Sequence, residues 1–182
     1  LSFLAAGDIV PDAEEYYHGD YITAWANAHR GELESKKGDP EALGRLAAAE
    51  FLKTFIQPAV EAKMKIRFDR WTSEYTDIRS QGYVEKFSNL AKEKGLLYEA
   101  EGATWLKTTE FGDDKDRVLI TSDGFPTYFL ADAGHYLETK GRGLSKKINI
   151  VGADHAGYVS RIQAVAKLVG LDSVVIVMQL VR

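Results

Sequence analysis

The sequence predicts an α/β fold in which a parallel sheet occupies the second half and a mostly helical stretch precedes it. Two observations carry that reading. From residue 118 onward, short apolar runs at 118–120, 147–151 and 174–178 alternate with helical patterns at 128–140 and 159–169. Strand–helix–strand repetition makes a parallel sheet with right-handed crossovers. Before residue 107 the apolar residues recur mainly at helical spacing, as in Leu43, Leu46, Ala47, Phe51, Phe55, Ile56, Val60 and Met64.

Composition narrows the class. With 182 residues, 45% hydrophobic and 27% charged, the chain can build one domain with a real core, or one and a half. The net charge of −4 supplies no global field for nucleic acid, so RNA would need a local patch. There is no cysteine, which excludes disulfides and thiolate metal sites. No apolar run approaches the ~20 residues of a membrane span. Residues 1–10 lack a basic start and include Asp8, unlike a signal peptide, so the expected compartment is the cytoplasm.

In order, residues 1–10 are apolar, Asp12 is a candidate helix cap, and Tyr16, Tyr17 and Tyr21 gather around Gly19. Residues 22–30 read as helix and 31–40 as loop. Asp39-Pro40-Glu41 is a helix start: a capping carboxylate, then proline at the first position. The stripe runs to Lys65, and Pro58 should kink or break it, because it removes a hydrogen bond and clashes one turn back. Residues 66–69 are a short extended piece. Residues 82–94 form a second amphipathic helix that Gly95 stops. Residues 96–99 and 103–106 read as a strand pair around Gly102. A charged loop, Gly112 with three Asp, Lys115 and Arg117, precedes the strand at 118–120. Asp123-Gly124 is a turn signal, Phe125-Pro126 forces extended backbone, and Thr127 can cap the helix that follows. Gly141 and Gly143 end that helix, and Gly170 ends the one at 159–169.

Tyr128 and Asp132, four apart, share a helix face and make a polar cleft wall. A carboxylate there suits a guanidinium, whose planar fork matches it with two parallel hydrogen bonds. The plainer reading is an early-helix acid favoured by the dipole. Gly152-x-Asp154-His155 lies at the end of an apolar strand, where open α/β sheets place their ligand crevice. Gly152 lets a nucleotide sugar approach, and Asp154 can accept from a ribose diol. Alternatively Asp154 is an ordinary helix cap. His155 reads as a binding or capping residue. The Gly112–Arg117 loop reads as a solvated turn held by surface ion pairs worth ~0–1 kcal/mol, with a Mg²⁺ site as the alternative. Trp71 and Trp105 read as core. Lys140, Arg142, Lys146 and Lys147 read as a solvated basic face.

Seven motifs occur in one order: Tyr17-His18-Gly19-Asp20-Tyr21-Ile22, Phe68-Asp69-x-Trp71-x-Ser73-Glu74, Gly95-Leu96-Leu97-Tyr98-Glu99, Gly102-Ala103-x-Trp105-Leu106, Phe111-Gly112-Asp113-Asp114-Lys115-Asp116-Arg117-Val118-Leu119, Asp123-Gly124-x-x-Thr127-Tyr128 and Gly152-Ala153-Asp154-His155-x-Gly157-Tyr158. Together they closely resemble the catalytic core of bacterial-type arginyl-tRNA synthetases, from about residue 14 to 182. The resemblance implies the second half of a class I synthetase Rossmann-type parallel sheet at 107–182, preceded by a mostly helical insertion and linker region at 1–106. It implies ATP-dependent activation of arginine and transfer to tRNA. Arginine would be held by Tyr128, Asp132 and His155. ATP would be held by Gly152, Asp154 and Gly157, with backbone near Val177 and Met178 beside the adenine, and Mg²⁺ would accompany ATP. No side chain is expected to act as a catalytic acid or base. The implied partners are arginine, ATP and an arginine-accepting tRNA, with no membrane, and the implied state is a monomer. Both signature motifs that hold ATP phosphates are missing, so the resemblance also implies an incomplete enzyme, inactive alone. Gly134-His135-Tyr136 departs from the family's Ala-Tyr-His order. The alternative is a non-catalytic arginine- or nucleotide-binding α/β module.

Overall fold

The computed structural model describes residues 19–179. The expectations for residues 1–10, for Asp12, and for Tyr16, Tyr17 and His18 lie outside them. Contacts divide the chain into two compact units, one ending at Arg70 and one beginning at Trp71.

In the first unit, helices α1 (Asp20–Ala28), α2 (Arg30–Ser35) and α3 (Pro40–Phe51) enclose Trp25, Ala26, Leu33, Leu43 and Ala47. The start of α3 is as expected: the Asp39 carboxylate accepts from the Ala42 N–H at 2.9 Å, with Pro40 at the first position. Helix α2 falls where a loop was expected. Leu33 is 2% exposed, and burying it outweighs the single glycine in that turn. Pro58 neither breaks nor ends the long helix. A π-helical turn, Leu52–Ile56, sits just ahead of it and leads into α4 (Gln57–Lys63). Widening that turn re-registers the ladder where proline supplies no N–H. The far part of the predicted stripe is not core: Phe55, Ile56 and Met64 are exposed.

The second unit begins with an unforeseen π-helical segment, Glu74–Arg79. Ser73 accepts from the Thr76 N–H, and Asp77 accepts from the Ser73 N–H at 2.7 Å, a reciprocal cap. Helix α5 (Tyr83–Glu93) follows, with Val84, Phe87 and Ala91 buried, and Gly95 ends it at φ 70°. Strands β1 (Leu97–Ala100) and β2 (Ala103–Leu106) form the expected hairpin. Glu101 and Gly102 both take positive φ, as a two-residue turn of the twist-matching kind requires. Strand β3 (Arg117–Ile120) leads through the Gly124 turn into helix α6 (Tyr128–Gly141). Thr127 caps α6 by accepting from the Leu130 N–H, and its hydroxyl is also 3.0 Å from the Val118 carbonyl, tying the helix to the strand. Strand β4 (Lys146–Gly152), a 3₁₀ segment (Ala153–Tyr158), helix α7 (Val159–Val169) and strand β5 (Asp172–Met178) complete the described chain.

The parallel sheet is present as β4–β5, paired from Lys146↔Asp172 to Gly152↔Met178. Strand β3, which the alternation would add to it, instead pairs antiparallel with β2, giving the order β1-β2-β3. A hairpin partner close in the chain meets β3 at lower loop-closure cost. Helices α5, α6 and α7 pack around Phe87, Leu106, Leu119, Leu130 and Val165. At Gly134 a Cβ would lie 3.2 Å from the Tyr83 carbonyl carbon, so glycine permits the close approach of α6 to α5.

The strands of the parallel sheet are not the buried runs that their composition suggests. Lys147, Asn149 and Val151 form one face of β4, while Ile148 and Ile150, on the other, are 57% and 71% exposed. Val174 and Ile176 lie in register beside them, also exposed. The polar face is the one turned toward the cleft.

Candidate functional site

A cleft of about 410 Å³ opens in the second unit. Helix α6 contributes Asp132, His135 and Tyr136; β4 contributes Lys147, Asn149 and Val151; the 3₁₀ segment and α7 contribute His155, Tyr158 and Ile162. Asp132 and His155 therefore face one space from different elements, with no packed core between them. Tyr128 does not join them: it is 81% exposed and is not part of the lining.

Asp132 stays reachable by solvent, so its surroundings are those of an open cleft rather than a sealed core. Enclosure still pushes its carboxyl above the usual aspartate range. Glu74 adds to that push, and Lys147 and Arg161 offset part of it. The Tyr136 hydroxyl accepts from Asn149 Nδ2 at 2.7 Å. Burial raises the Tyr136 phenol, Ser173 and Asn149 pull it back, and the charge of Asp132 raises it further, so it stays neutral.

The strand-end loop stands at one side of this cleft. His155 Nε2 lies 3.6 Å from Asp154 Oδ2, and the His155 ring meets the Tyr158 ring edge-on at 6.2 Å. Asp154 caps no helix start: Gly152 precedes the 3₁₀ segment and Tyr158 precedes α7. Its carboxylate folds back over Gly152, where a Cβ would collide with it. Gly157 has open space around it, and Gly152 pairs with Met178, so the two strand ends lie side by side. Val177 and Met178 are exposed there.

No family model matches the chain. Individual proteins do. It is 40% identical over 172 residues to the Arginine--tRNA ligase of Frankia alni, covering 92% of this chain and 30% of that protein. Against the Arginine--tRNA ligase of Elusimicrobium minutum it is 40% identical over 157 residues, covering 86% and 29%. A crystal structure from Campylobacter jejuni, described as an arginyl t-RNA synthetase, matches with a TM-score of 0.79 at 31% identity, over 98% of this chain and 40% of that one. The chain belongs to the arginine–tRNA ligase family. It spans about 30% of the length of the curated relatives named here.

The arginine–tRNA ligase resemblance did not point to Tyr136, Lys147 or Asn149 as cleft residues. Two signals in the sequence do: Tyr136 lies four residues after Asp132 on one helix, and Lys-Ile-Asn-Ile-Val alternates polar and apolar residues with the period of a strand. The basic residues expected to form a solvated face are separately engaged. Lys140 donates to the Val169 carbonyl, Arg142 pairs with Glu138 at 2.9 Å, and Lys146 pairs with Asp172 at 3.3 Å. Lys147 turns into the cleft, its ammonium 4.2 Å from the centre of the Tyr136 ring.

Burial pushes the Lys147 ammonium down to about 8, and Arg142 adds to this, against the pull of Glu138 and Asp132. An unfolded lysine titrates near ~10.4. Between those values the unfolded chain binds more protons than the folded one, so stability rises with pH across that window. Lys147→Met should be more stable than the parent at pH 7, by roughly 1–2 kcal/mol because water reaches the cleft. The advantage should shrink as pH approaches ~10. Thermal unfolding of both proteins at the two pH values checks this.

Proposed function

We propose that this chain carries the arginine pocket and the nucleoside part of the ATP site of an arginine–tRNA ligase. In the first step a carboxylate oxygen of arginine attacks the α-phosphorus of ATP, forming arginyl-adenylate and releasing pyrophosphate. In the second, a ribose hydroxyl at the tRNA 3′ end attacks the acyl carbon and AMP leaves. The observation that carries the reading is the shared cleft: Asp132 from one helix and His155 from the strand-end loop line the same space.

Asp132 holds the guanidinium by paired charge-assisted hydrogen bonds. His155 completes that pocket from the facing loop, while Tyr128, exposed at the start of α6, stands outside its lining. Gly152 and Gly157 let the nucleotide approach the backbone, Asp154 accepts from its ribose, and the backbone at Val177 and Met178 flanks the adenine. These groups orient the reactants and set the field around them; none moves a proton in the reaction. Mg²⁺ enters as the counter-ion of the ATP phosphates. Among the described residues no group of three potential ligands is placed to hold a metal.

In this reading residues 107–182 are the second half of the catalytic domain, and residues 1–106 are the insertion and linker before it. The partner is an arginine-accepting tRNA, the protein works as a monomer, and its setting is the cytoplasm. Among the described residues no helix is long and apolar enough to cross a membrane. The complete gene product should exchange pyrophosphate with ATP only when arginine is present, by at least about tenfold over lysine, since a lysine leaves the paired acceptor half-used. Exchange driven equally by other amino acids, or none at all, would overturn the assignment.

A further inference from the structure

The charged loop before β3 is not the solvated turn its composition suggests. The Asp113 side chain is 0% exposed. Arg117 grips it with both arms of the guanidinium, Nε to Oδ2 at 2.8 Å and Nη2 to Oδ1 at 2.8 Å. The Asp114 N–H adds a bond at 2.9 Å, and the Asp114 carboxylate takes the outer side of the same guanidinium. Nearby, Asp116 accepts from both the N–H and the hydroxyl of Thr109. Both Asp113 oxygens, and one oxygen each of Asp114 and Asp116, thus accept from protein donors.

One of these bonds leaves the loop. Ser160, in the first turn of α7, donates to Asp113 Oδ1 at 2.7 Å across 47 residues of sequence. Further along the same helix, Lys167 donates to the Phe111 carbonyl at 2.8 Å. The start of α7 follows directly on the 3₁₀ segment that carries Asp154, His155 and Tyr158. Tyr158 lies within electrostatic reach of Arg117, packs edge-on against His155, and lies under Arg161 at 4.0 Å.

We propose that Asp113, Arg117 and Ser160 form a positioning clamp that sets the angle of the strand-end loop at the cleft. The inference rests on the arginine and ATP roles proposed above. Arg117 locks the Asp113 carboxylate in one plane, so its Oδ1 is a fixed anchor rather than a rotating acceptor. Ser160 hangs the first turn of α7 on that anchor. The core holds α7 from Ile162 onward, so without this bond the segment between β4 and Ile162 is free to shift at the first turn of the helix; with it, Asp154 and His155 are held at constant depth. Small displacements of positioning groups are costly in rate and affinity.

Ser160→Ala cuts the link to the helix and leaves the ion pair whole. In the complete gene product it should raise the KM for ATP about tenfold, with a smaller rise for arginine and kcat changed less than about twofold. A tenfold change corresponds to about 1.4 kcal/mol, close to the lower limit for one bond to a charged group. Amide exchange at residues 153–158 should accelerate while that at 162–169 does not. Ser160→Thr, which keeps the hydroxyl, should restore both readings. If Ser160→Ala leaves KM and exchange unchanged, or if Ser160→Thr fails to rescue them, the clamp is wrong and the ion pair serves stability alone. The exchange reading needs no substrate, so it judges the clamp even if the arginine assignment fails. Failure of that assignment would show instead as an unchanged arginine KM in an Asp132 variant.

Discussion

Asp132→Asn should raise the arginine KM of the complete gene product by about 100-fold, with kcat for activation changed far less. The amide keeps the shape of the carboxylate but loses its charge and one of its two acceptors. The ion pair with two parallel bonds then becomes a single bond from the guanidinium to an uncharged amide oxygen, with the amide NH₂ set against the other guanidinium donor, a loss of about 3 kcal/mol in a partly enclosed site. That corresponds to about 100-fold in affinity. Stability should move the other way. The Asp132 carboxyl sits above the usual aspartate range, because enclosure and Glu74 both oppose its charge. The folded chain therefore binds this proton more tightly than the unfolded one, and the ionised form costs stability at neutral pH. The variant should be as stable as the parent or more so. The pH profile separates the roles further. Arginine binding by the parent should weaken as pH falls through that raised value, earlier than for an ordinary aspartate, and the variant should lose that limb. Arginine KM measured by pyrophosphate exchange across pH decides it; an arginine KM within twofold of the parent would end the assignment of Asp132.

Asp113→Ala should destabilise the second unit by about 3 kcal/mol. It leaves a guanidinium that is 10% exposed with only the exposed Asp114 as partner, and it orphans the Ser160 hydroxyl. Removing one member of a buried ion pair costs roughly 3–5 kcal/mol, and the outer bond to Asp114 keeps the loss near the low end. Burial by itself would push the Asp113 carboxyl up. The bonds from Arg117, Ser160 and Asp114 more than reverse this and hold it well below the usual carboxylate range. A depressed carboxyl stabilises the fold above its unfolded value of about 3.9 and loses that contribution as pH falls further. The gap between parent and variant should therefore be full at pH 7 and narrow below about pH 4. Urea unfolding at both pH values measures it. A gap that stays constant down to acid pH would show that the pair contributes packing rather than charge.

These two residues show where sequence reasoning reaches and where it stops. The spacing from Tyr128 to Asp132 and the helix that carries it were legible, because a cap at Thr127 and a period of 3.6 are local signals. The same locality explains the hairpin at Glu101-Gly102, the start at Asp39-Pro40 and the stops at Gly95 and Gly170. The motif string at 111–119 was the most specific of the seven that together indicated the family, though composition made its charges look solvated. Chain spacing could not show that Asp113 is sealed beneath Arg117 and Ser160, since one of those partners lies 47 residues away.

The sequence by itself determined the longer helices with their caps and stops, the strand–helix alternation of the second half, and the family, since all three are written in short runs of neighbouring residues; it missed the short helical segments Arg30–Ser35 and Glu74–Arg79. Only the tertiary structure decided that β3 pairs with β2, that β4 turns Lys147 and Asn149 rather than its isoleucines toward the cleft, and that Tyr128 stands outside the space shared by Asp132 and His155. The physical reason is range. Caps and turns are settled by hydrogen bonds within a few residues, whereas pairing, burial and the walls of a cleft depend on which distant surfaces exclude water together.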